Sequence, residues 1–321
     1  MFLQFAVMRW LMFKGVGLSV LASVTFGILY FYTKLLSDFD SEQTFGWRIL
    51  ATIPFLTLFM FYSGDFAHIK TIFQRMIKKP VLILALITTS ALTSVQLWLF
   101  LWGPINGRGL QVSLGYFLLP LVLVLVGSIF YKEKLSKFQL IAVLFAVIGV
   151  GHEIWRLGSI AWETVVVAIG YSLYFLLRKK IHTDNLGGFW WDIVLCLPVA
   201  IYLTQTGVAP YSKFADSPSL GFVILGLGLL SAIGLGSYIL ASRFLPMILF
   251  GLLSYLEPVL LAMASLTMGE TIHSGEWLTY IPIWCAVGVL TLEGGVHLYQ
   301  QQKRHRNLQR NIEKLNQRLD Q

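Results

Sequence analysis

Apolar residues in this chain come in unbroken runs rather than in stripes. Ten runs follow one another, at 14–36, 44–63, 80–101, 108–130, 138–155, 161–177, 186–206, 219–241, 248–268 and 277–299. A helix rises 1.5 Å per residue, so about 20 apolar residues cross the hydrocarbon layer of a bilayer. A water-facing helix of that length would carry a polar stripe at every turn, and these runs carry none. The pattern predicts an all-α polytopic membrane protein with ten transmembrane helices and short loops.

The two ends differ from the runs. Residues 1–13 are apolar, contain Arg9 and lack a small-residue cleavage site, which predicts an interfacial segment rather than a signal peptide. Met8 and Met12 are alternative starts. Residues 300–321 are polar and basic. Within them Leu308, Ile312, Leu315 and Leu319 form a narrow apolar stripe at helical spacing, predicting a cytoplasmic tail helix laid on the membrane or on a partner helix.

Composition sharpens this picture. Only 12% of residues are charged and 56% are hydrophobic. A soluble domain carries about 25% charged residues, so this surface needs lipid as its solvent. The formal net charge of +8 would suggest nucleic acid in a soluble chain. Here the basic residues lie between the apolar runs and orient them instead. With the N-terminus in the cytoplasm, 19 of the 24 basic residues fall on the inner side and five, Lys34, Arg48, Arg108, Arg156 and Lys213, on the outer. That asymmetry predicts cytoplasmic N- and C-termini. Cys196 and Cys285 lie within apolar runs with no paired spacing, so no disulfide framework, metal site or cofactor is expected. The glycines between 226 and 236 precede no Lys-Ser/Thr and make no nucleotide loop.

The chain also repeats itself. Leu29-Tyr30-Phe31 followed by Lys34 recurs as Leu173-Tyr174-Phe175 followed by Arg178, and Phe45-Gly46-Trp47-Arg48-Ile49 with Pro54 recurs as Phe189-Trp190-Trp191-Asp192-Ile193 with Pro198, both at an offset of 144. Pro120, Glu133 and Gly149 pair with Pro258, Glu270 and Gly288 in the same order. Each half, 14–155 and 160–299, holds five spans. An odd number turns the second half upside down, giving a 5+5 inverted repeat, the architecture that alternating access exploits.

Ser113-Leu-Gly-Tyr-Phe-Leu-Leu-Pro120, Phe45-Gly-Trp-Arg48 and Tyr174-Phe-Leu-Leu-Arg-Lys179 resemble the RarD-like branch of the EamA-type drug/metabolite transporter superfamily. Tyr255-Leu-Glu-Pro258 and Gly269-Glu270 resemble the wider superfamily. The resemblance covers roughly residues 14 to 298. It implies a bacterial cytoplasmic-membrane protein with a central cavity open to one side at a time, exporting or exchanging small metabolites or drug-like molecules. It names no substrate. Tyr131-Lys132-Glu133 stands where many relatives have Gly-Glu, which implies an altered loop.

Ionisable side chains inside a bilayer are costly and mark function by default. Arg48, Asp192, Glu257 and Glu293 lie within runs. Arg48 and Asp192 occupy equivalent repeat positions but differ in depth, so each is expected to serve its own half of the cavity; snorkelling or local pairing is the alternative. Glu257 precedes Pro258 in mid-span and is a candidate for proton coupling or cation recognition, against a purely structural carboxyl. Glu293 lies close enough to a span end to snorkel. Trp47, Trp98, Tyr116, Trp191, Tyr238 and Tyr255 suit an amphipathic substrate, although aromatic belts are ordinary in membrane proteins. Gln96 binds substrate or bridges helices. The expected partners are a small-molecule substrate, protons as candidate coupling ions, and lipid. No paired nucleophile and base suggests an enzyme. The competing classes are a passive channel and a lipid or polyprenol-carrier flippase of the same fold.

Overall fold

The structure, a computed structural model, describes residues 2–131, 136–208, 217, 219–245, 250, 253–293 and 296, with the side chains of 2–11, 124, 126–131 and 157 excepted. The expectations for Glu133, Lys213 and the tail from 300 to 321 lie outside the described residues. Among the described residues the ordered elements are helices: α1 Phe2–Tyr32, α2 Ser41–Ser63, α3 Phe66–Lys78, α4 Val81–Ile105, α5 Gly109–Tyr131, α6 Lys137–Leu157, α7 Trp162–Lys180, α8 Leu186–Thr206, α9 Ser219–Phe244, α10 Leu256–Thr267 and α11 Ser274–Glu293, which opens with a 3-10 turn. Helix α1 continues from Phe2 through the expected end of the interfacial segment without a break.

Seven of these, α1, α2, α4, α6, α8, α9 and α11, contain stretches long and apolar enough to cross a membrane. The apolar parts of α5 and α10 are shorter, Gly109–Leu123 and Leu256–Thr267 among the described residues. Helix α7 is 19 residues long and has Glu163 in its first turn and Arg178, Lys179 and Lys180 in its last. The outside of the bundle is apolar: Phe61, Leu84, Val147 and Phe222 are all more than 60% exposed. A water-facing surface would place polar groups there, so lipid is the solvent these side chains fit.

Local chemistry sets the helix ends. The Asp40 carboxylate accepts the Gln43 N–H at 2.6 Å to start α2, and Gly64, at φ +79°, closes it in the left-handed conformation that glycine adopts without strain. Ser136 and Gln139 form a reciprocal capping box at the start of α6. Asn185 caps α8 through Gly188.

Packing brings the two halves of the chain together. Helix α1 packs on α9 and α10, while α7 packs on α4 and α5. Helix α2 packs on α9, while α8 packs on α4; α2 meets α8, and α5 meets α10. The α2–α8 contact is tight. A Cβ on Gly46 would lie 2.7 Å from the Ala200 carbonyl oxygen. The first turns of α2 are thereby held against the last turns of α8, while Trp190 near the start of α8 reaches Thr57 further along α2 at 2.8 Å. A second core, with Leu114, Phe117, Ala142 and Ile283, ties α6 and α11 to the outer side of α5.

Helix α3 is an element the run pattern passed over. Its Ile69, Ile72, Phe73 and Met76 fall at helical spacing, with Lys70 and Lys78 on other faces. It packs across one end of α8: Trp191 donates to the Ile69 carbonyl at 3.2 Å and stacks on Phe73 at 6.0 Å. Arg75 donates to the Ile181 and His182 carbonyls at 2.6 and 2.8 Å. A short amphipathic helix with basic flanks is suited to a membrane surface.

Candidate functional site

Five ionisable or hydroxyl-bearing side chains from five helices converge at the centre of the bundle. Arg48 of α2 is 1% exposed. Its Nε donates to Ser231 Oγ of α9 at 2.9 Å and its Nη1 to the Leu97 carbonyl of α4 at 3.1 Å. The guanidinium lies over the Phe100 ring, 5.2 Å from the centroid. Tyr116 of α5 meets Phe100 edge-on at 6.2 Å and Tyr171 of α7 at 5.7 Å. Both tyrosines lie within electrostatic reach of Arg48. Glu257 of α10 is in reach of the same two and of Tyr238 of α9. Tyr238 in turn faces Ser254 Oγ at 3.4 Å. Among the described residues no carboxylate is bonded to Arg48 and no cation to Glu257.

Prolines loosen the backbone beside this cluster. Pro120 has no N–H to donate to the Tyr116 carbonyl, and Pro258 has none for that of Ser254. Such freed carbonyls are tolerated in a bilayer only where protein or water can satisfy them.

Asp192 lies elsewhere. It is fully buried in α8 and paired to Arg178 of α7 at 2.7 Å. Thr89 and Tyr174 donate to its two carboxylate oxygens at 2.6 and 3.0 Å. Arg178 also donates to the Tyr174 hydroxyl and to the Thr183 and Asn185 carbonyls. Both carboxylate oxygens of Asp192 and both terminal nitrogens of Arg178 are matched within the protein. It sits at the same end of the bundle as α3, where Arg243 of α9 pairs with Asp65 at 2.6 Å.

The opposite end carries two further ionic groups. Arg108 grips Glu163 with two bonds, at 2.7 and 3.1 Å. Beside it Glu270, in the loop after α10, accepts the Gly109 and Leu110 N–H groups at 2.8 Å each, capping the start of α5. Burial pushes the Glu270 carboxyl above its usual range, opposed by those two amides and by Arg108. A polar pocket of about 550 Å³ opens over these residues, with Gln111, His273 and Glu276 on its walls. Between α6 and α11, Thr279 donates to Glu153 at 2.9 Å and meets His152 Nδ1 at 3.0 Å, and Arg156 joins Glu153 to Glu276. Among the described residues, no three His, Cys, Asp or Glu side chains gather as metal ligands.

The remaining sequence candidates spread out. Trp47 is partly buried against the central core. Trp98 stacks on Trp162, meets Trp102 at a tilt and donates to Glu42 at 3.3 Å, at the end opposite α3. Trp191 serves the α3 contact. Tyr255 is buried in the α5–α6–α11 core, apart from Tyr116. Gln96 donates to the Val166 carbonyl at 2.8 Å, bridging α4 to α7, on the wall of an outward-facing apolar groove of about 440 Å³. Glu293 is buried near the end of α11. Tyr171, which sequence reasoning passed over, is central. Its signal was present: it lies three residues before Tyr174, and so on nearly the same face of α7.

Comparison with known proteins agrees with this architecture. The family model described as the EamA-like transporter family matches residues 13–151. The chain is 38% identical over 292 residues to an uncharacterized transporter of Pasteurella multocida, covering 91% of this chain and 100% of that one. It is 39% identical over 292 residues to the chloramphenicol-sensitive protein RarD of Pseudomonas aeruginosa, covering 91% and 97%. With protein RarD of Escherichia coli it shares 28% over 283 residues, 87% and 94% of the two chains. No solved structure matches. The chain is a multi-pass membrane protein of the EamA-like transporter family, in its RarD-like branch.

Proposed function

We propose that this protein is a secondary transporter, moving small metabolites or drug-like molecules across the bacterial cytoplasmic membrane by alternating access. It works as an exporter or exchanger, through ten spans arranged as two inverted five-helix halves with both termini in the cytoplasm. The observation that carries this reading is the exchange of contacts between the halves. Arg48 on α2 bonds Ser231 on α9, and Asp192 on α8 bonds Thr89 on α4. Each pair couples the second span of one half to the third span of the other, at offsets of 144 and 142 residues. The packing of α1 on α9 and α10, mirrored by α7 on α4 and α5, follows the same rule. Two halves that share contacts in this way can trade conformations, closing one end as the other opens.

The ionic groups at both ends are the gates in this scheme. On the outside, the Arg108–Glu163 pair and the Glu270 cap join helices of opposite halves. On the inside, Arg243–Asp65 does the same. The substrate lies between them, against Arg48, Tyr116, Tyr171, Tyr238 and Glu257. With no nucleotide motif in the chain, a solute or proton gradient drives the cycle.

Exchange in proteoliposomes under an imposed proton gradient tests the reading, using a mixed metabolite and drug load. Saturable exchange supports it. Flux that rises linearly with concentration indicates a channel. Movement of labelled lipid alone indicates a flippase, the reading to which the apolar groove between α4 and α7 lends support.

Glu257 is the proposed coupling group, because its carboxyl is buried within reach of three tyrosines and, among the described residues, no cation is bonded to it. In Glu257→Gln the amide keeps the shape but cannot bind and release a proton. The variant is expected to exchange substrate at rates that no longer vary with pH. Proton-driven transport equal to wild type from about pH 5.5 to about pH 8 would make Glu257 structural.

A further inference from the structure

The halves of the repeat are unequal at one place, and the inequality bears on what the central cluster binds. In the second half, Arg178 and Asp192 form a closed ion pair. The equivalent positions in the first half, at the same offset of 144, are Lys34 and Arg48. Both are basic. Lys34 is exposed and lies over the Phe31 ring at 4.6 Å. Arg48 lies at the centre of the bundle, and among the described residues no carboxylate is bonded to it.

Among the described residues Arg48 is therefore a buried cation held by neutral acceptors. A guanidinium carries five N–H donors, and the contacts to Ser231 and Leu97 use two of them. The faces turned to it from other helices are Phe100, Tyr116, Tyr171 and, beyond the tyrosines, Glu257. Glu257 makes no bond to it. A carboxyl can also take up a proton and become neutral, whereas a guanidinium keeps its charge at any physiological pH. A charge out of water without a partner is unfavourable unless something supplies the partner. The planar fork of arginine matches an oxyanion of two or more oxygens.

Resting on the reading of this cluster as the substrate site, we propose that it takes an organic anion: a carboxylate or similar oxyanion head on Arg48, and an apolar or aromatic body among Phe100, Tyr116, Tyr171 and Tyr238. The edge-on and tilted rings already present there favour a further ring or chain.

The test uses the purified full chain at neutral pH and three probes of one shape: phenylpropionate, phenylpropylamine and phenylpropanol. Binding is read from the shift in unfolding temperature with probe concentration. On wild type the anion is expected to bind at least about tenfold more tightly than the amine or the alcohol. Arg48→Gln is expected to erase that preference, and Lys34→Gln, which removes an exposed cation outside the cluster, to keep it. An amine or alcohol that matches the anion on wild type overturns the proposal, as does the absence of stabilisation by all three, or an anion preference that survives in Arg48→Gln. Should Arg48→Gln fail to fold, the wild-type series decides alone. Anion binding without solute exchange in proteoliposomes would contradict the transporter reading and leave this one standing. Saturable exchange without anion preference would do the reverse.

Discussion

Arg48→Ala is expected to impair transport while the protein reaches the membrane in undiminished amount. A charge at this depth opposes insertion, so its removal eases membrane entry. What disappears is the centre's permanent cation and its two bonds, to Ser231 and to the Leu97 carbonyl. A substrate oxyanion bonded to the guanidinium would lose a hydrogen bond worth about 1.5–3 kcal/mol, so substrate affinity is expected to fall roughly ten- to a hundredfold. The measurement is uptake or exchange by variant and wild type at matched abundance. Normal transport by Arg48→Ala would reduce Arg48 to a residue that orients its helix.

The second large effect concerns stability. Asp192→Ala is expected to destabilise the fold by about 3–5 kcal/mol, the usual result of removing one member of a buried ion pair. Arg178 would be left nearly buried, with its guanidinium facing only hydroxyl and carbonyl oxygens. Replacing both partners, as in Arg178→Met with Asp192→Leu, is expected to recover most of the loss, because two apolar groups leave no orphaned charge. Unfolding in detergent, followed by tryptophan fluorescence, measures both variants. If Asp192→Ala unfolds at the wild-type temperature but no longer transports, Asp192 acts on substrate after all.

These two residues show how far the sequence carries the account. The repeat pattern puts Arg48 and Asp192 at equivalent places, and each bonds α4, Arg48 at the Leu97 carbonyl and Asp192 at Thr89. Their environments could not be read in the same way. Arg178 looks like one more basic residue at the end of a span, and the positive-inside pattern explains it without any partner. Only the fold, which brings the Arg178 guanidinium at the end of α7 within 2.7 Å of the Asp192 carboxylate of α8, shows that it belongs to Asp192. Tyr116, Tyr238 and Glu257 were legible as aromatic or ionisable residues near helix-breaking prolines, and the fold brings them together. Tyr255 has the same signature as Tyr116. It turns into the α5–α6–α11 core because the helix turns about 100° per residue and the face presented depends on the break before Pro258. Trp98 and Trp191 carry indole rings at opposite ends of the bundle, where amphipathic rings settle for reasons unrelated to substrate. Helix α3 was hidden because its signal is amphipathic rather than apolar: the run pattern that finds spans passes over a 13-residue helix whose apolar positions are interrupted by His68, Lys70, Gln74 and Arg75.

The central claim is that one buried site is reached from each side in turn. A single cysteine at position 238, in a chain with Cys196 and Cys285 replaced, tests it with a membrane-impermeant maleimide. The expected result is labelling in both right-side-out and inside-out vesicles. When histidines placed at positions 108 and 163 are first bridged by Ni²⁺, which leaves the thiol at position 238 unalkylated, labelling from the outside is expected to stop while labelling from the inside continues. Labelling from one side only, whether or not the outer ends are joined, would contradict alternating access. So would labelling from outside that persists after the outer ends are joined.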